Sequence, residues 1–196
     1  MQLALFDFDH TVTDRDSYAG FLRHIATPAE MARARWAVGP WLLGYRAGLV
    51  TARGIRARVT RFAFSERDAG EIATHGAHYA RDRLPAMLRP EMMQRIGWHR
   101  AQGHEVVLVS ASLDLYLRPW CNLHGLALVC NRLEAVDSRL TGRYAGGDIG
   151  PRKAREIRSR YDLPRYERIH AYGDSREDKP MLALAHERWY AGKRIA

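Results

Sequence analysis

The sequence contains few cysteines and no long apolar run, and each absence excludes a class of protein. Its 196 residues include two cysteines, Cys121 and Cys130, which are too few and too far apart for a zinc site or a disulfide framework. We expect both thiols to be reduced and partly buried. A membrane-spanning helix needs about 18 consecutive apolar residues, and the most apolar segment, residues 36–50, is interrupted by glycine, proline and arginine. The amino-terminal residues lack the basic and then apolar pattern of a secretion signal, so we expect a cytoplasmic protein.

Lysine is also scarce. There are three lysines, so the formal net charge of +9 is carried mainly by arginine. A basic balance favours anionic ligands in general, whether phosphorylated metabolites, acidic lipid surfaces or nucleic acid. The basic residues do not form a dense cluster interleaved with aromatic residues, and we therefore expect no nucleic-acid partner. Hydrophobic residues make up 46% and charged residues 27% of the chain, which are the proportions of a globular protein.

Helical patterns fill the region between residues 15 and 85. Helices are predicted over residues 16–25, 28–38, 51–64 and 65–79, with a second helical piece over 40–45. Thr27 followed by Pro28 and Glu30 has the spacing of a capping box, which predicts the start of one of these helices. We expect residues 15–85 to form a helical cap, and residues 1–14 and 86–196 to form one catalytic core.

Strand-like runs alternate with helical segments in the rest of the chain. The predicted strands cover residues 3–6, 105–110, 127–131, 169–172 and 188–191, with a hairpin over 133–144. The predicted helices cover residues 89–101, 113–123, 151–161 and 178–185. The run at 105–110 is continuously aliphatic, which is typical of a strand buried on both faces of a parallel sheet. We therefore expect an α/β fold with a three-layer, doubly wound parallel sheet, in which ligands gather outside the carboxyl ends of the strands.

Two aspartates follow the first predicted strand. In Phe6-Asp7-Phe8-Asp9, side-chain alternation places Asp7 and Asp9 on one side and the phenylalanines on the other. Two carboxylates at one strand end repel each other unless a cation lies between them. One of them then has the chemistry of a nucleophile and the other that of a proton donor.

Further carboxylates follow a later strand. Asp174 and Asp178 come after the predicted strand at 169–172, and the carboxyl ends of parallel strands converge. We therefore expect these side chains to meet Asp7 and Asp9. A set of oxygen ligands with this negative charge suits a hard divalent cation, and Mg²⁺ is the ion that we expect.

Two more residues suit an anionic ligand. Lys153 balances the remaining negative charge, and Ser110 offers a hydroxyl beside backbone N–H groups at a predicted helix start. Such a helix start is a ready cradle for an anion.

In this order the motifs resemble those of the haloacid dehalogenase-like superfamily of phosphotransferases. The matching segments are residues 7–12 (DFDHTV), Val109-Ser110, Lys153 and residues 173–178 (GDSRED). The helical insertion directly after the first motif is similar to that of subfamily IB, the phosphoserine-phosphatase-like branch with a small helical cap. The resemblance covers nearly the whole chain.

The resemblance implies catalytic roles for the matching residues. Asp7 is expected to be the nucleophile that forms an aspartyl-phosphate, and Asp9 the general acid and then the general base. Ser110, Ala111 and Lys153 are expected to hold the phosphoryl oxygens.

The resemblance also implies a metal site. Mg²⁺ is expected to be held by Asp7, the backbone carbonyl of Asp9 and Asp174. Three residues of the same motifs, Thr11, Ser175 and Asp178, are expected to support the site. Asp178 would orient the metal shell or Lys153.

The implied reaction is hydrolysis of a small phosphorylated metabolite, with a phosphoserine-like compound as the first candidate. The phosphoserine enzymes grip their substrate with an acidic residue after the first motif and with a cap arginine. Asp16 and Arg58 lie near those places, although Asp16 is shorter than the glutamate of the family. His10 is interpreted as a residue that lines the site and not as a metal ligand.

Two other functions remain open. The bulky segment from Trp36 to Tyr45 is similar to the hydrophobic cap of bacterial phosphatidylglycerophosphatase C, a lipid phosphatase. Such a segment either packs the cap onto the core or makes peripheral contact with acidic lipid. A non-catalytic protein that binds phosphate or acts as a scaffold is the third alternative.

Overall fold

A computed structural model of the chain describes residues 1–195. Its main sheet has six strands in the order β3-β2-β1-β6-β7-β8, and β4 and β5 form a separate hairpin. The strands are β1 (Gln2–Phe6), β2 (Glu105–Leu113), β3 (Ala127–Asn131), β4 (Leu133–Val136), β5 (Arg139–Tyr144), β6 (Arg168–Gly173), β7 (Glu187–Tyr190) and β8 (Lys193–Ile195). All neighbours in the main sheet are parallel except β7 and β8. The predicted α/β class is confirmed, and β8 is an antiparallel edge strand that the sequence pattern did not indicate.

Eight α-helices connect or flank these strands among the described residues. They are α1 (Ser17–Ile25), α2 (Pro28–Arg46), α3 (Ala52–Phe64), α4 (Ala69–Asp82), α5 (Pro90–Ala101), α6 (Asp114–His124), α7 (Lys153–Arg160) and α8 (Lys179–Leu182). The first four lie between β1 and β2, in the region predicted to be the cap. The division of the chain into a core and a cap stays a prediction.

Side chains on the two faces of the sheet belong to separate apolar clusters. On β1, Leu3 and Leu5 pack with Ile157 of α7 and Met181 of α8. Ala4 and Phe6 point the other way and pack in the cluster that contains residues of α1, α4, α5 and α6, such as Phe21. The alternation along a strand thus buries both faces of the sheet, which gives the three layers expected of a doubly wound fold.

Strand β2 is longer than predicted, and this changes the surroundings of its polar residues. The pattern placed the strand end at Ser110, whereas β2 continues to Leu113 and α6 begins at Asp114. Ser110 therefore lies inside a strand and not at a helix start, so the predicted anion cradle at this helix start is wrong. The β2–β3 pairing shifts register between Ser110 and Leu113, and Ser112 lies within this irregular stretch.

Helix α2 is one continuous helix, where a helix over 28–38 and a second piece over 40–45 were predicted. It begins with the predicted capping box, in which Thr27 and Glu30 each accept from the backbone N–H of the other. Pro40 lies inside the helix and removes one backbone hydrogen bond without ending it.

The apolar segment of α2 does not pack onto the core as one of its interpretations required. Trp36 is 87% exposed and Leu43 is 65% exposed. Val38 is the one buried residue of the helix. Among residues 1–195, no helix combines the length and the apolar character needed to cross a bilayer.

The remaining elements follow the predicted pattern with shifted ends. The hairpin over 133–144 is present. Asp137 and Ser138 both have positive φ, as the two central residues of a type I′ hairpin turn do. The helix predicted over 178–185 is shorter, since α8 ends at Leu182. Cys121 and Cys130 are free and buried.

Candidate active site

The loop after β1 holds two aspartates over a cavity. The backbone N–H of Asp7 donates to the carbonyl of Tyr172 in β6 at 2.9 Å, which ties the loop to the neighbouring strand. The carbonyl of Phe8 accepts from Val12 at 2.8 Å and from Thr13 at 3.0 Å, so the chain turns back on itself directly after the strand. Asp7 and Asp9 both line the resulting cavity.

Three carboxylates converge at the carboxyl ends of β1 and β6. One oxygen from each of Asp7, Asp174 and Asp178 lies within 4.8 Å of the others. Asp7 and Asp178 are buried, whereas Asp174 is half-buried and lines the cavity. The hydroxyl of Thr11 lies 3.4 Å from Asp174 Oδ1, to which it donates a weak hydrogen bond. The sheet therefore brings the predicted Asp7 and Asp174 together.

Lys153, the first residue of α7, lies between two of these carboxylates. Its Nζ contacts Asp7 Oδ1 and donates to Asp178 Oδ1 at 2.6 Å. The other oxygen of Asp178 accepts from the Ser175 hydroxyl at 2.6 Å and from two backbone N–H groups of the loop. Asp178 therefore positions both Lys153 and the loop that carries Asp174. Gly173 is needed at the start of this loop, since a Cβ there would lie 2.6 Å from Asp178 Cβ.

Burial and mutual charge set the protonation of the group. Burial raises the pKa of Asp7 to about 8, and the Lys153 ammonium opposes that rise. Burial also raises the pKa of Asp174, with the charge of Asp178 as a second cause. For Asp178 burial acts in the same direction, but Lys153 outweighs it and holds the pKa below its ordinary value. The carboxylates Asp7 and Asp178 in turn raise the pKa of Lys153 despite its burial, so the lysine is charged.

Asp9 has a separate set of partners. The Ser112 hydroxyl donates to Asp9 Oδ2 at 2.5 Å, and the backbone N–H of Ser17 donates to Asp9 Oδ1 at 2.6 Å. Burial raises the pKa of Asp9, the charge of Asp16 adds to the rise, and the bonds from Ser112 and Ser17 oppose it. The carboxylate of Asp9 is thus oriented by neutral donors and not by the lysine that serves Asp7.

Ser110 contributes its side chain from the middle of β2. It is 1% exposed, lines the cavity, and accepts from the backbone N–H of Ser112 at 3.0 Å. Its own hydroxyl hydrogen stays available to an anion in the cavity. Ala111 also lines the cavity. The phosphate-binding roles of Ser110, Ala111 and Lys153 stay predictions.

The donor set fits a hard divalent cation. Lys153 forms ion pairs with Asp7 and Asp178, whereas Asp174 forms no ion pair among the described residues. Two carboxylates share one lysine and a third has none, so negative charge remains that a cation would balance. Oxygen-only ligands of this kind match Mg²⁺. The side chain of Asp9 accepts hydrogen bonds from Ser112 and Ser17, and the predicted metal-binding role of its backbone carbonyl stays a prediction.

The cavity has a volume of about 700 Å³ and extends from the aspartates to α2 and α3. Its walls are largely aliphatic and aromatic, and arginines stand among them. The apolar members include Leu22, Ile25, Val38, Leu42, Ile55 and Phe62, and the arginines include Arg23, Arg33, Arg35 and Arg67. His10, at a positive φ of 60°, and Asp16 both line the cavity near the aspartates. Asp16 also caps α1 by accepting from the N–H of Ala19.

The arginine of α3 that lines the cavity is Arg56 and not the predicted Arg58. Arg58 is exposed, its guanidinium carbon lies 4.3 Å from the centre of the Trp41 ring, and it does not line the cavity, so its contact with substrate stays a prediction that this geometry does not support. Two residues earlier on α3, Arg56 lines the cavity and pairs with Asp148 and Glu177, each at 2.8 Å. Arg58 points outward because residues two apart on a helix face different directions.

Sequence reasoning grouped Ser112 with Ser110 and Ala111 but assigned it no role, and it missed Arg56. Ser112 repeats the serine of Ser110 at the spacing of a strand, and this alternation was the available signal. Arg56 carries no such signal, since it is one of four arginines on α3 and its partners lie 92 and 121 residues away in the chain.

Residues 4–183 match the family model of the haloacid dehalogenase-like hydrolases. The chain is similar to Protein CicA of Caulobacter vibrioides, with 32% identity over 96% of this chain and 85% of that protein. It is also similar to a histidinol-phosphatase of Neisseria meningitidis serogroup C, with 24% identity over 94% of this chain and 87% of that protein.

Two solved structures share the fold. A protein of unknown function from Bordetella pertussis superposes with a TM-score of 0.78 and 26% identity, covering 95% of this chain and 88% of that one. A probable phosphoserine phosphatase from Vibrio cholerae superposes with a TM-score of 0.69 and 18% identity, covering 96% of this chain and 55% of that one. These likenesses agree with the predicted fold of the phosphoserine-phosphatase-like branch.

Proposed function

The chain belongs to the haloacid dehalogenase-like hydrolase family, and from this premise we propose that it is a Mg²⁺-dependent phosphomonoester hydrolase. One observation carries the proposal: Asp7, Asp174 and Asp178 converge within 4.8 Å beside Lys153, at the end of a cavity that is open to a ligand. Phosphoryl transfer depends mainly on positioning and on neutralisation of charge, and this group of residues offers both.

Asp7 and Asp174 would hold the Mg²⁺, with the backbone carbonyl of Asp9 as a third ligand. When bound, the ion neutralises charge on the phosphoryl oxygens and keeps Asp7 deprotonated. Asp178 acts through its neighbours, since it holds Lys153 at 2.6 Å and the loop of Asp174 through Ser175.

Asp7 is the nucleophile in this proposal. Its carboxylate oxygen attacks phosphorus, the bond from phosphorus to the ester oxygen breaks, and an aspartyl-phosphate forms. Lys153 and the hydroxyl of Ser110 face the same end of the cavity and would hold the phosphoryl oxygens. Water then attacks the aspartyl-phosphate, which releases phosphate and restores Asp7.

Asp9 moves the proton in both halves of the reaction. It must be protonated when the alcohol leaves, and its burial favours that state by raising its pKa. After it has given the proton to the leaving oxygen, Asp9 is a base that accepts a proton from the attacking water. Ser112 and Ser17 hold its carboxylate in one orientation during this exchange.

The cavity supports a substrate larger than phosphoserine. A volume of about 700 Å³ is in the range that holds drug-sized ligands, and a compound as small as phosphoserine would fill a small part of it. The apolar walls contributed by α1, α2 and α3 favour a substrate with a carbon-rich alcohol, while Asp16 is placed to meet an amino or imidazole group. Phosphoserine, histidinol phosphate and a phospholipid are therefore the three substrates to compare.

A lipid phosphate is the second candidate function. The exposed apolar residues of α2, among them Trp36 and Leu43, lie on the helix whose other side lines the cavity through Leu42 and Tyr45. An exposed apolar strip with neighbouring arginines suits peripheral contact with acidic lipid. We further propose a cytoplasmic location, which the two free, buried thiols support.

Substitution of the nucleophile tests the proposed reaction. Hydrolysis of a generic aryl phosphate is expected with Mg²⁺ and is expected to be lost on addition of chelator. Asp7→Asn should abolish turnover and preserve the thermal unfolding transition, whereas Asp82→Asn, an exposed change on α4, should preserve both. A folded Asp7→Asn variant with full activity would overturn the role of Asp7. A wild-type protein that binds phosphate without hydrolysing any ester would support the scaffold alternative.

The substrate is then found by comparing kcat/KM for the three candidates. A preference for phosphatidylglycerophosphate in mixed vesicles, lost in Trp36→Ser with aryl phosphatase activity unchanged, would support the lipid reading. A preference for phosphoserine or histidinol phosphate that is insensitive to Trp36→Ser would support a small metabolite.

A further inference from the structure

A second group of potential metal ligands lies away from the aspartates. His99 belongs to the last turn of α5, His104 to the turn before β2, and His170 to β6. One ring nitrogen from each lies within 4.8 Å of the others. His99 is fully buried and His170 is 6% exposed, whereas His104 is half-buried and leaves one side of the group open to solvent.

The three histidines lie on the amino side of the sheet relative to the candidate active site. His104 directly precedes β2, and Ser110 lies near the other end of that strand. Tyr172 lies between the two groups: its hydroxyl is 2.9 Å from His99 Nε2, while its backbone carbonyl accepts from Asp7. The two sites therefore share a strand but no ligand.

One nitrogen of His170 is buried without a partner. His170 Nε2 lies 2.9 Å from the amide oxygen of Gln2, which accepts hydrogen bonds, so Nε2 carries the hydrogen. The lone pair is then on Nδ1, which is buried and has no hydrogen-bond partner. A buried polar atom without a partner is costly. The ring belongs to the cluster, since its centroid lies 4.7 Å from that of His99.

The other two histidines are close enough to share a ligand. His99 Nδ1 lies 2.8 Å from His104 Nδ1, which is a hydrogen-bond distance. One of the two nitrogens therefore donates to the other, and both could bind one metal ion in place of this hydrogen. Tetrahedral Zn²⁺ with bonds of about 2.0–2.1 Å separates its ligand nitrogens by about 3.3 Å, a value between the 2.8 Å of this pair and the 4.8 Å limit for the three nitrogens. Metal-bound histidines usually donate their second N–H to an outer partner, and Tyr172 and Gln2 stand in those positions for His99 and His170.

The charge state of the cluster also suits metal binding. Burial lowers the pKa of His99 to about 3, with the other two histidines as further causes, and burial lowers the pKa of His104 and His170 as well. Neutral imidazole is the form that binds a metal. Arg95 and the chain amino terminus add positive charge nearby, and Glu187 adds negative charge beside His170.

We propose that His99, His104 and His170 form a binding site for a divalent transition metal ion, with Zn²⁺ as the ion to test and the fourth position open to water. Three imidazole nitrogens favour Zn²⁺ and its neighbours over Mg²⁺, so ligand chemistry separates this site from the carboxylate site. A metal here connects α5, the turn before β2, and β6, and it stabilises the fold near the amino ends of these strands.

Zinc binding to the full chain tests the proposal. After chelator treatment and desalting, Zn²⁺ is titrated in excess Mg²⁺, and binding is followed by competition with a chromophoric chelator. We expect saturable binding and a rise in the thermal midpoint with Zn²⁺. Co²⁺ in place of Zn²⁺ should give the visible absorption of a four-coordinate nitrogen site. An absence of saturable Zn²⁺ binding would overturn the proposal.

Four variants locate the ion. His104→Ala, at the half-exposed member, should abolish the saturable binding. Gln2→Ala removes only an outer partner and should weaken binding by roughly 10- to 100-fold, so it tests the site even where loss of a histidine unfolds the chain. His75→Ala, a histidine of α4 outside the cluster, should bind as the wild type does. Wild-type affinity in both His104→Ala and Gln2→Ala, or loss of binding in Asp174→Asn alone, would overturn the assignment.

Discussion

Arg56 of α3 donates two hydrogen bonds to the same carboxylate oxygen of Asp148, from Nε at 3.0 Å and from Nη2 at 2.8 Å. Asp148 is 6% exposed, and its other oxygen accepts from the amide of Asn131 and from the backbone N–H of Gly150. The pair joins a helix inserted after β1 to a loop that precedes Lys153. It thereby fixes the wall of the cavity relative to the aspartates.

Removal of this arginine should loosen that wall. Arg56→Ala leaves the buried Asp148 carboxylate without its cation, and we expect a loss of about 3 kcal/mol in the free energy of unfolding together with a higher KM. Arg58→Ala on the same helix is the matched control, because its exposed side chain should contribute less than about 1 kcal/mol. Urea denaturation and steady-state kinetics measure both. Equal stability losses in the two variants would contradict the role of the Arg56 pair.

Loss of the Ser112 hydroxyl should act through Asp9. Its bond to Asp9 lowers the pKa of that carboxyl, so Ser112→Ala should raise the pKa of Asp9 further and shift the alkaline limb of the kcat profile to higher pH. Ser112 also holds the Asp9 carboxyl in one orientation, and the loss of this positioning should lower kcat by roughly 10- to 100-fold at neutral pH. Ser159→Ala, an exposed serine of α7, should leave the profile unchanged. An unshifted profile in Ser112→Ala would show that this hydroxyl does not set the state of Asp9.

Close packing between α4 and α6 depends on Gly76. A Cβ at this position would lie 2.4 Å from the carbonyl oxygen of Leu115, so Gly76→Ala should destabilise the protein by about 1–3 kcal/mol. Gly97 in α5 has open space around its Cα, and Gly97→Ala should stabilise by about 0.5–1 kcal/mol because alanine is the better helix former. Thermal melts of the two variants should move in opposite directions, and a shift of the same sign in both would refute the packing argument.

The buried His99 should make stability depend on pH. Its pKa is about 3 in the folded protein and near 6.5 when unfolded, so the unfolded chain binds more protons between these values. The contribution of His99 to the free energy of unfolding is therefore fully present above about pH 6.5. Below that pH it falls by about 1.4 kcal/mol per pH unit, until the pKa of the folded protein is reached. In chelator-containing buffer, His99→Phe should show a smaller slope over pH 4–6.5 than wild type, and His75→Ala the same slope as wild type. An identical slope in His99→Phe would exclude His99 as the cause.

Much of the fold was readable from local patterns. The aliphatic run of β2, the capping box at Thr27 and the alternation of strands with helices each depend on neighbouring residues, and each was confirmed. Helix and strand ends were less accurate. Ser112 extends β2 beyond the predicted end because pairing with β3 continues past an irregularity, and that pairing depends on a distant part of the chain.

The residues of the site also divide into those that the sequence identified and those that only the tertiary structure identified. Asp7, Asp9, Ser110, Lys153 and Asp174 were identified as a set because their motifs occur in a known order, and the structure brings them to one cavity. The choice between Arg56 and Arg58 was beyond the sequence, since only the direction of α3 over the cavity separates them. The exposure of Trp36 likewise depends on which side of α2 faces the core.

The sequence by itself determined the order of the carboxylates, the lysine that follows them in the third motif, and the class of sheet that gathers these residues. The tertiary structure decided which distant residues accompany the carboxylates, namely Ser112 beside Asp9 and Arg56 paired with Asp148. It also brought three histidines together near the amino ends of the strands. The physical reason is that residue type and spacing act over a few neighbours along the chain, whereas these contacts depend on how helices and strands far apart in sequence pack together.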